Sequence, residues 1–151
     1  MPSVIVSDTS CLILFYKIEE LDLLKKLYGK LHITDTVFKE FNQPVPDWIE
    51  VVQPKTDVHR GLSGYLDAGE ATSIALASEY EESLLIIDEI KGRKAAKEMG
   101  IPVTGSLGVL TTAKNKGHLK AVKPTIDKIQ KTNFRISKEL IERVLDKVNE
   151  S

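Results

Sequence analysis

The chain has one cysteine, Cys11, so an internal disulfide is excluded. Cys11 lies in the apolar run SCLILFY, which points to a small buried hydrophobe. The histidines are His32, His59 and His118, and none stands in a family spacing to Cys11 that would suggest a catalytic thiol. No apolar stretch approaches the ~20 residues that a membrane-spanning helix needs. The first residues carry no charged segment leading into a long apolar one, so no signal peptide is read. The expectation is a cytoplasmic protein with no membrane partner. Charge of one sign is lacking too, for the formal net charge is -1. A protein that grips nucleic acid over a wide face is commonly strongly basic. Any such contact here must use local patches, or a metal must supply the positive charge.

What remains is ordinary globular material, 42% hydrophobic and 28% charged over 151 residues. That length suits a single domain over 1–151, long enough to bury a core. No repeat, low-complexity tract or long linker divides it.

Short apolar strands alternate with helical patterns. SVIVS is a β-branched run that stops at Asp8, and helical spacing follows over Leu12–Tyr16 and Leu21–Leu27. Leu31–Thr34 reads as a strand, and Asp35 as the cap of a helix carrying Val37, Phe38 and Phe41 on one side. Pro44 and Pro46 end that helix, Trp48–Val52 reads as an edge strand, and QPKTDVHRG as a polar connection. GEATSIALASEY is an alanine-rich helix. LLII (Leu84–Ile87) is too short for a helix and fits a parallel strand buried on both faces, ending at Asp88. The basic helix IKGRKAAKEMG closes at Gly100, Pro102–Val103 is a short strand, and Gly105–Lys116 is a helix. Two further helices begin near Ala121 and at Ser137, a suitable N-cap. Such alternation implies a parallel sheet covered on both faces. Ligands of such sheets bind beyond the carboxyl ends of the strands, where the strand order reverses.

Asp8 and Asp88 each end an apolar strand, so in a parallel sheet both point at that crevice. Asp is also a favoured N-cap, and each could simply cap the helix that follows. Glu70 is more telling. At 100° per residue, Ile74 falls about 40° to one side of it and Ala77 about 20° to the other. Glu70 therefore lies on the apolar line of its helix, in the first turn. Attraction to the helix dipole explains an acid in the first turn but not one facing inward. Glu40 borders the Val37–Phe38–Phe41 stripe and is a weaker candidate. Converging acids repel one another unless a counter-charge is present. Hard oxygen donors without a His or Cys cage favour Mg²⁺ or Mn²⁺ over zinc. Two such ions, ~3.5–4 Å apart, clamp the attacking and leaving oxygens of an in-line displacement by water.

Several neighbours have two readings. Ser10 could contact a metal ligand or the scissile phosphate, or cap the first helix. Thr9 is similar but weaker. Ser106, in Thr104-Gly105-Ser106, could present backbone N–H groups to phosphate or serve as a cap. Lys91, Arg93, Lys94 and Lys97 could hold an RNA backbone, or form a solvated helix face. Lys114, Lys116, Lys120 and Lys123 carry the same two readings. Tyr65 and Trp48 could stack on bases or pack against the fold. The two apolar helical faces near the N-terminus could bury each other or form a dimer.

IVSDTSCLI, the acid at Glu40, GEATSIALA, LLIIDEIKGRKAA and GIPVTGSLGVL, in that order, resemble the motifs of PIN domains over nearly the whole chain. The likeness is closest to a stand-alone prokaryotic branch related to the toxin nucleases of toxin–antitoxin pairs. It implies a three-layer α/β/α sandwich with a central, mainly parallel sheet, and a Mg²⁺/Mn²⁺-dependent ribonuclease. The acidic quartet carried over is Asp8, Glu40, Glu70 and Asp88, as catalytic groups and metal ligands. Ser10, Ser106, Arg93 and Lys94 are the implied substrate contacts. RNA, an antitoxin chain in the groove and a homodimer are the implied partners. The third acid is commonly Asp in the family and is Glu70 here, which brings Asp67 and Glu89 forward as further candidate ligands. The main alternative keeps the fold as a catalytically weak nucleic-acid- or partner-binding module. A phosphohydrolase with Asp8 as nucleophile is disfavoured, since the residue two positions on is Ser10, not an acid.

Overall fold

The computed structural model describes residues 2–151. Five strands form one all-parallel sheet: β1 (Val4–Ser7), β2 (Leu31–Thr34), β3 (Ile49–Val52), β4 (Ser83–Ile86) and β5 (Val103–Thr104). Their order is β3-β2-β1-β4-β5. The chain leaves β1 towards one edge and returns at β4 to build towards the other, so the order reverses between β1 and β4. Ser7 pairs with Ile86 in that central ladder, which sets the two strand ends level. Whatever follows Ser7 and Ile86 shares one crevice.

The helices among the described residues are α1 (Thr9–Lys17), α2 (Leu21–Tyr28), α3 (Asp35–Phe41), α4 (Val58–Leu62), α5 (Ala68–Ser78), α6 (Ile90–Glu98), α7 (Ser106–Asn115), α8 (Lys123–Gln130) and α9 (Lys138–Lys147). Strand side chains alternate between two cores. Ile5, Ile33 and Ile86 face one that includes Leu12 and Phe15 of α1, Leu24 of α2, and apolar residues of α7, α8 and α9. Val4, Val6, Leu85 and Ile87 face the other, built with Ile74 and Leu76 of α5 and Ala95 and Ala96 of α6. The result is the α/β/α sandwich that the alternation implied. Each fully buried Leu or Ile contributes about 1.5–3 kcal/mol. Leu85, Ile86 and Ile87 are completely buried, which is why LLII reads as a central strand.

Local signals place most boundaries. Asn42 takes a left-handed conformation at the end of α3, ahead of Pro44, and Gly100 does so after α6. Ser137 caps α9 by accepting the Leu140 N–H at 3.2 Å. Three details differ from the sequence expectation. Thr34, not Asp35, caps α3, accepting the Val37 N–H at 3.1 Å, so Asp35 is the first helical residue. The stretch read as a polar connection starts a short helix, α4. Phe38 is 39% exposed although Val37 and Phe41 are buried, because the short α3 offers only a narrow inner face. The apolar faces of α1 and α2 are buried within the chain, through Leu12, Phe15, Leu23 and Leu24. No helix among the described residues is long and apolar enough to cross a membrane.

Candidate active site

Asp8 follows β1 directly and caps α1, its Oδ1 accepting the Cys11 N–H at 3.0 Å. Its carboxyl is only 1% exposed. Burial raises its pKa from 3.8 to about 7, the nearby charges of Asp88 and Glu70 push the same way, and the Cys11 N–H opposes them. The two readings of Asp8 are therefore compatible: one carboxylate both caps a helix and faces two other acids.

Asp88 behaves differently. The cap of α6 is Glu89, whose Oε1 accepts the Lys91 N–H at 3.4 Å. Asp88 instead reaches across the crevice to the start of α7. Its Oδ1 accepts the Ser106 N–H at 2.9 Å, and its Oδ2 accepts the Ser106 hydroxyl at 2.5 Å. Gly105 keeps this approach open, for a Cβ there would collide with Asp88 Oδ1. Ser106 is thus neither the α7 cap, which is Gly105, nor an open phosphate cradle. It is buried and orients Asp88.

Glu70 is 9% exposed, facing inward as its helical phase required. It is the third residue of α5 and completes a capping box: the Glu70 N–H donates to Asp67 Oδ1 at 2.8 Å, and Glu70 Oε1 accepts the Asp67 N–H at 3.4 Å. Burial raises the Glu70 pKa from 4.5 to about 7, and the charges of Asp67 and Glu89 add to the rise. Asp67 and Glu89 are both taken up as helix caps.

Glu40 is exposed at the end of α3, and the Thr9 hydroxyl donates to its Oε1. Both touch α5 at Gly69: a Cβ there would clash with Glu40 Oε1 and lie 2.6 Å from Thr9 Oγ1. Thr9 adjoins Asp8 and Gly69 adjoins Glu70. Asp8, Glu40 and Asp88, far apart in sequence, thus contact the first turn of α1, and Glu70 stands next to Gly69 at the start of α5.

Cys11 is buried in the first core, as its apolar run implies, and it has a polar side that the sequence does not show. Its Sγ donates to Asp88 Oδ2 at 3.2 Å, and Ser106 Oγ lies 3.6 Å away. Burial, with the charges of Asp8 and Asp88, raises the thiol pKa well above its usual 9, so the group stays protonated and donates. Cys11 links the two strand-end carboxylates through its backbone and its side chain. The Asp8-x-x-Cys11 spacing signals the backbone contact; nothing in the sequence signals the thiol contact.

The cationic candidates divide. Arg93 does not sit on a solvated face. It is half-buried, with Nη1 donating to the Ile87 carbonyl at 3.0 Å, beside Gly105 and Asp88. Lys94 is exposed and lines a hollow of about 420 Å³ along α6 with Ile90, Arg93 and Lys97. Ser10 is exposed inside the first turn of α1, and Asp8 rather than Ser10 is the cap. Lys114 is structural, held by Glu150 at 2.8 Å and the Val148 carbonyl at 2.6 Å. Trp48 packs partly buried against the first core.

A family model described as a PIN domain matches residues 4–150. The chain belongs to the PIN-domain family. No curated protein and no solved structure matches it. PIN domains are in general nucleases, and this one carries carboxylates at its strand-order reversal, where the fold places ligands.

The ion pairs Lys30–Glu50, Arg60–Asp57 and Lys114–Glu150 involve none of the four acids. Burial holds Asp8 and Glu70 above their ordinary pKa, with the charges of Asp88 and Glu70 adding to the rise at Asp8 and those of Asp67 and Glu89 to the rise at Glu70. Hard oxygen donors in that state suit a divalent cation. Among the described residues, no three His, Cys, Asp or Glu side chains stand close enough to enclose an ion in this conformation. Their oxygens are turned to Ser106, Cys11, Thr9 and the Asp67 backbone instead.

Proposed function

We propose that this PIN domain is a metal-dependent endoribonuclease in which Asp8, Glu40, Glu70 and Asp88 hold Mg²⁺ or Mn²⁺ at the carboxyl edge of the sheet. The observation that carries the reading is the buried Asp8 carboxyl, raised to about 7 and facing the charges of Asp88 and Glu70. A folding-only role accounts for the Cys11 N–H bond but not for a buried carboxyl set against the charges of Asp88 and Glu70. A bound ion would act as a Lewis acid on the phosphodiester and make its water a stronger nucleophile at neutral pH. The chain's own part is to position. Ser106 and Cys11 fix the Asp88 oxygens, Thr9 ties Glu40 to the first turn of α1, and the α5 capping box fixes Glu70. Arg93 and Lys94, which line one hollow on α6, are assigned to the RNA backbone, and Ser10, exposed on α1, is the further substrate contact that the resemblance implies.

Labelled single-stranded RNA is expected to be cut with Mg²⁺ or Mn²⁺ and left intact with a chelator. Asp8→Asn and Asp88→Asn are expected to abolish cutting while staying folded. Undiminished cleavage by either variant overturns the ligand assignment.

A second reading, a PIN-like binding module with little catalysis, is favoured by the inward engagement of the carboxylates in this conformation. Titration with Mn²⁺ separates the two. A rise in melting temperature that saturates with the ion supports the enzyme, and no shift supports the module. The finer form of the enzyme reading is the toxin of a toxin–antitoxin pair, dimeric and blocked by an antitoxin segment in the groove. It rests on the sequence resemblance.

A further inference from the structure

The rim of the acidic crevice carries exposed apolar surface that the fold does not use. Tyr65 is 49% exposed and Ile90 79% exposed. Tyr65 sits in the turn leading into α5, held by its N–H to the Leu62 carbonyl at 3.1 Å, two residues before Asp67. Lys91 lies in the first turn of α6, behind the Glu89 cap, and its Nζ stands 5.6 Å from the centre of the Tyr65 ring. Asp67 and Glu70 close one capping box at the start of α5, and on α6 a Cβ at Gly92, next to Lys91, would lie 4.0 Å from Glu70 Cδ. Tyr65 and Lys91 therefore belong to the two helix starts that meet at Glu70.

Burying neither side chain, the fold gains little from this arrangement. An exposed tyrosine–lysine contact adds little to stability and needs no neighbouring active site. A half-exposed ring with a lysine over it carries the two groups one nucleotide uses: a π-system for the base and an ammonium for the phosphate. Positive side chains continue from Lys91 along α6 at Lys94 and Lys97, with the single acid Glu98 in the same hollow.

We propose that Tyr65 and Lys91 form a nucleotide subsite for single-stranded RNA, Tyr65 stacking on a base next to the scissile phosphate and Lys91 holding that nucleotide's backbone. The subsite rests on the nuclease reading for its purpose but is tested without cleavage. A short labelled oligouridine is titrated into the full chain in chelator, and anisotropy gives the affinity. Tyr65→Ala is expected to weaken binding about tenfold, within the range of base–aromatic stacking, while Tyr65→Phe keeps it. Lys91→Ala is expected to flatten the dependence of log affinity on log salt, and Tyr65→Ala to leave that slope alone. An oligouridine made abasic at the stacked position is expected to bind wild type and Tyr65→Ala equally. With Mg²⁺, Tyr65→Ala is expected to raise KM more than it lowers kcat. Wild-type affinity in Tyr65→Ala, with folding verified by its melting curve, overturns the subsite whatever the cleavage assay shows. Loss of cleavage in wild type with the Tyr65 effect on binding intact overturns the nuclease reading and leaves the subsite standing.

Discussion

Replacing Asp8 by Asn should stabilise the metal-free protein, by an amount that depends on pH. Asn keeps the cap, since Asn and Asp are equally good N-caps and Asn Oδ1 can accept the same Cys11 N–H. It removes a charge that burial, Asp88 and Glu70 all oppose. A pKa raised from 3.8 to about 7 on folding corresponds to a cost of at most about 4 kcal/mol at pH 8. The sign follows from proton uptake. The folded state binds the proton more tightly, so wild type has its full stability below pH 3.8, loses it as pH rises, and is flat above pH 7. The advantage of Asp8→Asn should therefore be near zero at pH 4 and grow to a plateau above pH 7. For a chain of this size, 1 kcal/mol moves the melting temperature by roughly 2–4 °C, so the plateau lies at or below about 16 °C.

The assay is thermal and urea unfolding of both proteins in chelator from pH 4 to pH 8, then at pH 8 with Mn²⁺. The ion should raise wild type towards the variant and leave the variant nearly unmoved. Asp8→Ala is the control for the cap: it gains the same charge relief but loses about 1 kcal/mol of capping. A variant no more stable than wild type at pH 8, or one whose gain is the same at pH 4 and pH 8, refutes the reasoning.

Gly69→Ala improves helix propensity by up to about 1 kcal/mol yet pushes a methyl against Glu40 and Thr9, so cleavage should fall while the melting temperature holds; retained activity would detach Glu40 from the site. The Cys11 thiol, fully buried and protonated, should resist a disulfide reagent in the native state and react only on unfolding in urea. Burial works against the Glu150 charge, but Lys114 and the N–H groups of Val122 and Lys123 hold its pKa down to about 2. Glu150→Gln should thus melt at a lower temperature at pH 7, with the deficit shrinking as pH falls from 4.5 towards 2.

The fold was legible where one signal dominated its window. LLII had no helical length and no polar residue, so a central strand was the only economical reading, and it lies between β1 and β5. Thr34 as a cap was hidden because Asp35 is an equally good capping type one position on, and the strand geometry of β2 settles it. Helix α4 was hidden because a five-residue helix with no buried side chain leaves no apolar period to read.

The placement of the candidate acids was legible, and what steers them was not. Strand-end position pointed to Asp8 and Asp88, and helical phase pointed to Glu70, because both depend on chain-local geometry. The partners of Asp88 come from α1 and α7, 77 and 18 residues away in sequence, and only the β4–β5 pairing brings Ser106 to it. Apolar spacing places Cys11 in the core, where it lies, and says nothing of its thiol's partner. A residue three positions into a helix capped by an acid turns its backbone to that acid, while its side chain follows the sheet below. At the end of β1, the sheet's next side chain is the Asp88 carboxylate, so the same packing that buries Cys11 makes it a donor. Cap and proposed metal ligand are thus not competing descriptions of Asp8. The N–H that fixes its Oδ1 is what aims a buried carboxylate at Asp88 and Glu70, and a looser, solvated Asp8 would lower its charge cost by turning away.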